Sequence, residues 1–171
     1  MKSYCVDTNA ILDLCYRYYP KPIFTNVWQA LEQAITARQI KLYISQHIYD
    51  EVQAKIIQFG YDKNTFDVFL GEFNITVISL KEYEQQLAQL KADIVSANPK
   101  LIKGLSNKDQ DLSNICAIMK KGGVITSEQG LNVKLNDPNF PTNFKIPDVA
   151  NYFKVECQNW LPVLEYIGFC E

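Results

Sequence analysis

The chain contains no apolar run that approaches the length of a membrane span, and no signal peptide opens it. No membrane-spanning helix is expected, and a cytoplasmic location is. Its five cysteines are an odd number with no Cys-x-x-Cys spacing, which argues against a zinc site or a disulfide frame. Buried free thiols in a reducing compartment are expected for Cys5, Cys15, Cys116, Cys157 and Cys170. Net charge is scarce as well, at -2. That rules out a generally basic nucleic-acid footprint but leaves room for a local basic rim around an acidic site. There is no internal repeat, low-complexity segment or domain linker. With 171 residues, 47% hydrophobic and 21% charged, one soluble domain spanning the whole chain is expected, with a substantial core.

What is present is organised around residues 4–14. Tyr4–Val6 is short, apolar and partly β-branched, which reads as a buried strand. Asp7 falls where it ends, Thr8 and Asn9 are helix-capping types, and Ile11, Leu12, Leu14 and Cys15 begin an amphipathic helix. A carboxylate at the C-terminal end of a first parallel strand faces the crevice where open α/β sheets place their ligands.

The remaining elements follow from periodicity. Ile23, Phe24, Val27, Trp28, Leu31, Ala34 and Ile35 have helical spacing. Ile40–Ile44 reads as strand two, and Ser45 as the N-cap of a helix whose apolar face is Ile48, Val52, Ile56 and Phe59, ended by Gly60. A short helix around Thr65–Leu70 and a third strand at Ile75–Ile78 come next. Lys81–Ala97 is an amphipathic helix with Tyr83, Leu87, Leu90 and Ile94 on one stripe, closed by Pro99. Leu101–Asn107 reads as loop, Lys108–Lys121 as a helix stopped by Gly122-Gly123, and Val124–Thr126 as strand four. Gln129–Lys145 is a long Asn- and Pro-containing loop. A short helix at Ile146–Phe153, a fifth strand at Val155–Cys157 and a last helix carrying Trp160, Leu164 and Ile167 complete the chain. This alternation predicts a three-layer α/β/α sandwich on a mostly parallel central sheet.

That topology places acids. Asp7 ends strand one, and Glu128 directly follows strand four, so both lie on the edge where parallel strands end. Glu51 stands in the second turn of the helix that leaves strand two, near the same edge. Asp109 and Asp111 open the helix before strand four, which reaches that edge only if the preceding loop carries its start across. Such carboxylates would repel one another unless a hard divalent cation joined them, and Mg²⁺ or Mn²⁺ suits oxygen ligands and substrate phosphates. Water bound to such an ion deprotonates more easily, and the ion stabilises charge on a phosphoryl group, so metal-assisted phosphodiester hydrolysis is the implied chemistry.

These residues resemble the PIN-domain family of metal-dependent nucleases, typified by the VapC-type ribonuclease toxins of bacterial toxin–antitoxin pairs. Asp7-Thr8-Asn9 matches that family's Asp-Thr/Ser-Asn/Ser element, and Glu51-Val52 its Glu followed by an aliphatic residue. Asp111, with Gly122 eleven residues on, matches the third acid and its closing glycine. Thr126-Ser127-Glu128 stands where the family has Thr-Asn-Asp, with Glu replacing the usual Asp. The Lys145-Ile146-Pro147-Asp148-Val149 tail is similar to a PIN-like branch of prokaryotic proteins. The resemblance implies a Mg²⁺/Mn²⁺-dependent endoribonuclease acting on RNA, with an antitoxin protein as partner; a homodimer is a further assembly the chain could form. Asp7, Glu51 and Asp111 would ligate the first ion, with Glu128 assisting or holding a second. Thr8, Asn9, Thr126 and Ser127 would orient them or the water, and Asp109 is an alternative ligand. A catalytically inactive PIN-like module that binds RNA or protein is the second reading.

Other readings stand beside these. Asp7, Thr8 and Asn9 could be a helix-capping cluster, Asp50 and Asp109 solvated or capping acids, and Asp13 an acid on a polar helix face. His47, the sole histidine, reads as a surface helix-turn residue, since the metal route needs no imidazole. An aspartyl-phosphate phosphatase would need a second Asp two residues after Asp7, where Asn9 stands. Lys100, Lys103 and Lys108 could steer a phosphate backbone or form a solvated loop. Tyr16, Tyr18 and Tyr19 could stack on bases or pack in a core or dimer interface.

Overall fold

The computed structural model describes residues 1–119 and 121–169. Five strands, β1 (Lys2–Val6), β2 (Ile40–Ser45), β3 (Thr76–Ile78), β4 (Gly123–Ile125) and β5 (Cys157–Gln158), form one sheet in the order β3-β2-β1-β4-β5. Every neighbouring pair is parallel. Cys5 lies opposite both Tyr43 and Val124, and Val6 lies opposite Ile125.

Because side chains alternate across a strand, these short strands feed two cores. Tyr4, Val6, Ile40, Leu42, Ile44 and Ile125 point to one face. They pack there with α1 (Thr8–Leu12), α2 (Thr25–Thr36), α3 (Gln46–Phe59), α4 (Lys63–Glu72) and α8 (Trp160–Tyr166). Cys5 and Val124 point to the other face, covered by α5 (Leu80–Ala97), α6 (Asp109–Ile118) and α7 (Ile146–Ala150). The chain is thus a three-layer α/β/α sandwich, as its alternating pattern predicts. The stripe Tyr83, Leu87, Leu90 and Ile94 is the buried face of α5. The Ser45 hydroxyl accepts from the Ile48 N–H at 3.1 Å, and Gly60 ends α3 at φ 66°, a left-handed conformation that glycine adopts freely.

Several local expectations need correction. The first helix does not stay α: Asp13–Arg17 is a π-helical turn, with the Tyr18 N–H reaching back to the Asp13 carbonyl at 2.9 Å. Residues 101–107 are not loop but part of a 3₁₀ segment, Pro99–Asn107, with Leu101 and Leu105 buried. It packs back along α5 and returns the chain to the edge where the strands end. Helix α6 stops at Ile118 because Met119 leaves helical conformation (ψ 130°), so the following glycines do not end it. Gly122 instead abuts β1, where a Cβ would collide with the Ser3 carbonyl oxygen. Phe59 is exposed rather than part of the α3 core face. The fifth strand is shifted to Cys157–Gln158, and α7 ends at Ala150. Cys5, Cys15 and Cys116 are buried free thiols and Cys157 is a half-buried one; Cys170 lies outside the described residues. No described helix is long and apolar enough to cross a membrane.

Candidate functional site

From β1 the chain builds outward through β2 to β3, then crosses to the other side of β1 to lay down β4 and β5. The reversal falls between β1 and β4, and open α/β sheets bind ligands at such a switch point, beyond the strand ends. Asp7 and the Thr126-Ser127-Glu128 element flank it, clamped together by the Asp7 N–H donating to the Ile125 carbonyl at 2.8 Å.

Asp7 is buried, 3% exposed. Its carboxylate accepts from Asn114 Nδ2 at 3.2 Å and from the Thr126 hydroxyl at 3.1 Å. Burial pushes its pKa up to about 7, and the nearby charges of Glu128 and Asp111 push in the same direction. The other acids come from three more elements. Ser45 caps α3 so that its second turn presents Glu51, whose Oε2 accepts from the Thr8 hydroxyl at 2.5 Å. Asp111, in the first turn of α6, lies within electrostatic reach of Asp7, Glu51 and Glu128. Burial raises its pKa too, despite Lys108 Nζ donating to its Oδ2 at 3.1 Å. Glu128 accepts from the Ile146 N–H at 3.0 Å and lies 3.5 Å from Lys145 Nζ. The return of the 3₁₀ segment is what brings Asp111 to an edge that topology alone did not assign it.

Two site residues escaped the sequence reading. Asn114 is fully buried, donates to Asp7 and accepts from the Cys5 thiol at 3.4 Å. Its neighbour Ser113 bonds the Ser45 hydroxyl at 2.7 Å. Polar Ser113-Asn114, set between Leu112 and the apolar run Ile115–Ile118, was the available signal. From sequence alone Asp13 is expected on a polar helix face. It is buried, accepts from the Ser127 hydroxyl and lies 3.7 Å from Arg17. It thereby ties the first helix to the loop after β4. Asn9 turns toward Arg17, 3.4 Å away, and Asp109 pairs with Lys91 of α5. Asp50 is exposed and bonds Gln46, and His47 Nδ1 lies 2.6 Å from the Tyr83 hydroxyl.

Four carboxylates, Asp7, Glu51, Asp111 and Glu128, therefore share one edge, and two ammonium groups, Lys108 and Lys145, oppose them. With all four carboxyls ionised, the excess of two negative charges is what a divalent cation would neutralise, and an all-oxygen donor set suits a hard one. Burial is the main cause of the upward shifts at Asp7 and Asp111, and the neighbouring carboxylates add to them. Among the described residues, no group of three or more His, Cys, Asp or Glu side chains is placed so that it could hold a metal ion. Each acid is turned to a protein partner instead, so Mg²⁺ or Mn²⁺ fits the donor set here rather than a preformed cage.

A family model described as a domain of unknown function (DUF4411) matches residues 4–64. That segment carries Asp7, Thr8, Asn9 and Glu51 and stops before Asp111 and Glu128. No curated protein and no solved structure matches the chain. The N-terminal part of the site, through α3, is accordingly similar to a domain family whose function is unassigned.

Proposed function

We propose that the chain is a Mg²⁺- or Mn²⁺-dependent endoribonuclease of the PIN type, cytoplasmic, and the toxin half of a toxin–antitoxin pair. The observation that carries the hydrolytic part is the gathering of four carboxylates, under-neutralised, at the switch point of a parallel sheet. RNA as substrate and the antitoxin rest on resemblance in the four acidic elements, an argument by analogy.

Asp7, Glu51 and Asp111 would hold the first ion, with Glu128 assisting or holding a second. When bound, such an ion would lower the pKa of a coordinated water and stabilise charge on the phosphoryl group. The chain's own contribution is orientation. Asn114 and Thr126 each donate to Asp7 and fix its carboxylate plane, and the Thr8 hydroxyl aims Glu51. Thr126 also accepts from the Glu128 N–H at 3.1 Å, which sets the turn that presents Glu128. Ser127, bonded to Asp13, braces that turn from the other side.

A catalytically inactive RNA- or protein-binding module is the second reading. It is favoured by Glu128, which stands in place of the family's Asp and is held by Ile146 and Lys145. The deciding experiment incubates purified wild type and Asp7→Ala with single-stranded and structured RNAs in Mn²⁺, Mg²⁺ or EDTA. Cleavage that needs metal and disappears in the variant is expected. RNA retention without cleavage would select the binding module.

A further inference from the structure

Beside the carboxylates the 3₁₀ segment and the loop before α7 enclose an open cleft of about 530 Å³. It is lined by Lys100, Lys103, Gly104, Asn107, Lys108, Thr142 and Asn143, with no acidic residue among them. In a chain of net charge -2, that is a local concentration of positive charge. The cleft is built by close backbone approach, since a Cβ on Gly104 would lie 2.8 Å from the Thr142 carbonyl oxygen. A larger residue there would wedge the two walls apart.

The three lysines differ in what they have to offer. Lys108 is 11% exposed at its side chain and is committed to Asp111, the Phe144 carbonyl and Asn143. Lys100 donates to the Pro138 carbonyl, which satisfies one N–H without cancelling the charge. Lys103 takes part in none of the ion pairs found among the described residues. Two uncancelled ammonium charges thus stand beside the amides of Asn107 and Asn143 and the hydroxyl of Thr142. All are donors suited to phosphate oxygens. Lys108 belongs to both places: it lines the cleft and donates to Asp111. The cleft therefore adjoins the carboxylate edge through the Lys108 side chain.

We propose that this cleft binds backbone phosphates of a single-stranded nucleic acid, holding the strand flanking the phosphodiester that lies at the carboxylates. The flanking geometry rests on the nuclease reading; the binding itself does not. The lysines supply charge without base recognition, so this contact would position the strand and leave sequence choice to other residues.

The test measures fluorescence anisotropy of a 5′-labelled oligouridylate of about 12 nucleotides, in EDTA so that no cleavage intervenes. Lys100→Gln, Lys103→Gln and the double variant are compared with wild type and with Lys63→Gln, an exposed lysine on α4. Each cleft substitution is expected to weaken binding by about three- to tenfold at low salt and to reduce the salt slope by about 0.7. Lys63→Gln should change neither. Both lysines are exposed, Lys100→Gln also alters the bond to the Pro138 carbonyl, and circular dichroism checks that the fold is kept. Unchanged affinity and slope in the double variant would overturn the proposal, as would a wild type that binds no strand. Displacement of the strand by low-millimolar inorganic phosphate would also overturn it, by marking a small-anion pocket. Metal-dependent cleavage with unchanged strand binding in the double variant defeats the cleft and spares the nuclease. Lysine-dependent binding with no cleavage in any metal does the reverse.

Discussion

Replacing Asp7 with Asn should make the metal-free protein more stable. Asp7 is buried among acids, and its pKa is raised from 3.8 to about 7. The folded state therefore holds this proton more tightly than the unfolded chain does. The contribution to stability is full below the ordinary carboxylate range and is lost as pH rises through about 7. At about 1.36 kcal/mol per pH unit, the ionised form costs about 4 kcal/mol above that range. Asparagine keeps the shape and removes the charge. Its Oδ1 can still accept from Asn114, and its amide can donate to Thr126 Oγ1 if that hydroxyl turns. Weaker neutral hydrogen bonds offset part of the gain, leaving about 2 kcal/mol net at pH 8, or a Tm higher by about 4–8 °C for a chain of this size. Thermal unfolding followed by circular dichroism in EDTA, at pH 8 and pH 5, measures it. The advantage should be clear at pH 8 and absent or reversed at pH 5. A variant destabilised equally at both pH values would refute the reasoning, because it would mean the charge at Asp7 is already neutralised by the protein.

Other substitutions probe the supports of the same edge. Lys108→Met leaves Asp111 without its ammonium partner and should cost about 1–2 kcal/mol at pH 7, a figure reduced from the fully buried case because Asp111 is partly exposed. Since burial raises the Asp111 pKa, that cost should shrink as acid protonates the carboxyl; denaturant midpoints at pH 7 and pH 4 check this. Ser45→Ala removes the α3 cap and the buried bond to Ser113, and urea unfolding should show a loss of about 1–3 kcal/mol. Asn114→Ala deletes bonds to both Asp7 and Cys5 and should cost about 2–3 kcal/mol by the same measurement. Gly122→Ala drives a methyl group into the β1 backbone at Ser3; loss of soluble, cooperatively unfolding protein is expected.

The parts that were legible in the sequence share a physical basis. Asp7, Glu51 and Glu128 are placed by one rule, that parallel strands end on a common edge, and hydrophobic alternation is enough to reveal the strands. The Ser45 cap and the α5 stripe are local patterns within one or two turns. What stayed hidden depends on contacts far apart in the chain. Asn114 meets Asp7 across 107 positions and Ser127 meets Asp13 across 114. No periodicity encodes such pairs. The buried Leu101 and Leu105 of the 3₁₀ segment are spaced like any short apolar loop, so the return that delivers Asp111 was invisible. The π turn at Asp13–Arg17 keeps an apolar face much like that of an α-helix, which is why Asp13 was assigned to the wrong side. Gly122 reads as a helix stop because glycine commonly is one, whereas here its missing side chain admits a neighbouring strand.

The central claim is that Asp7, Glu51, Asp111 and Glu128 act together as a divalent-cation site. Isothermal titration calorimetry of Mn²⁺ into the metal-free protein tests it most directly, with Asp7→Asn, Glu51→Gln, Asp111→Asn and Glu128→Gln in parallel. Saturable binding by wild type is predicted, weakened at least about tenfold by Asp7→Asn, Glu51→Gln and Asp111→Asn, and by less in Glu128→Gln. No binding by folded wild type, or equal binding by all five proteins, would contradict the account.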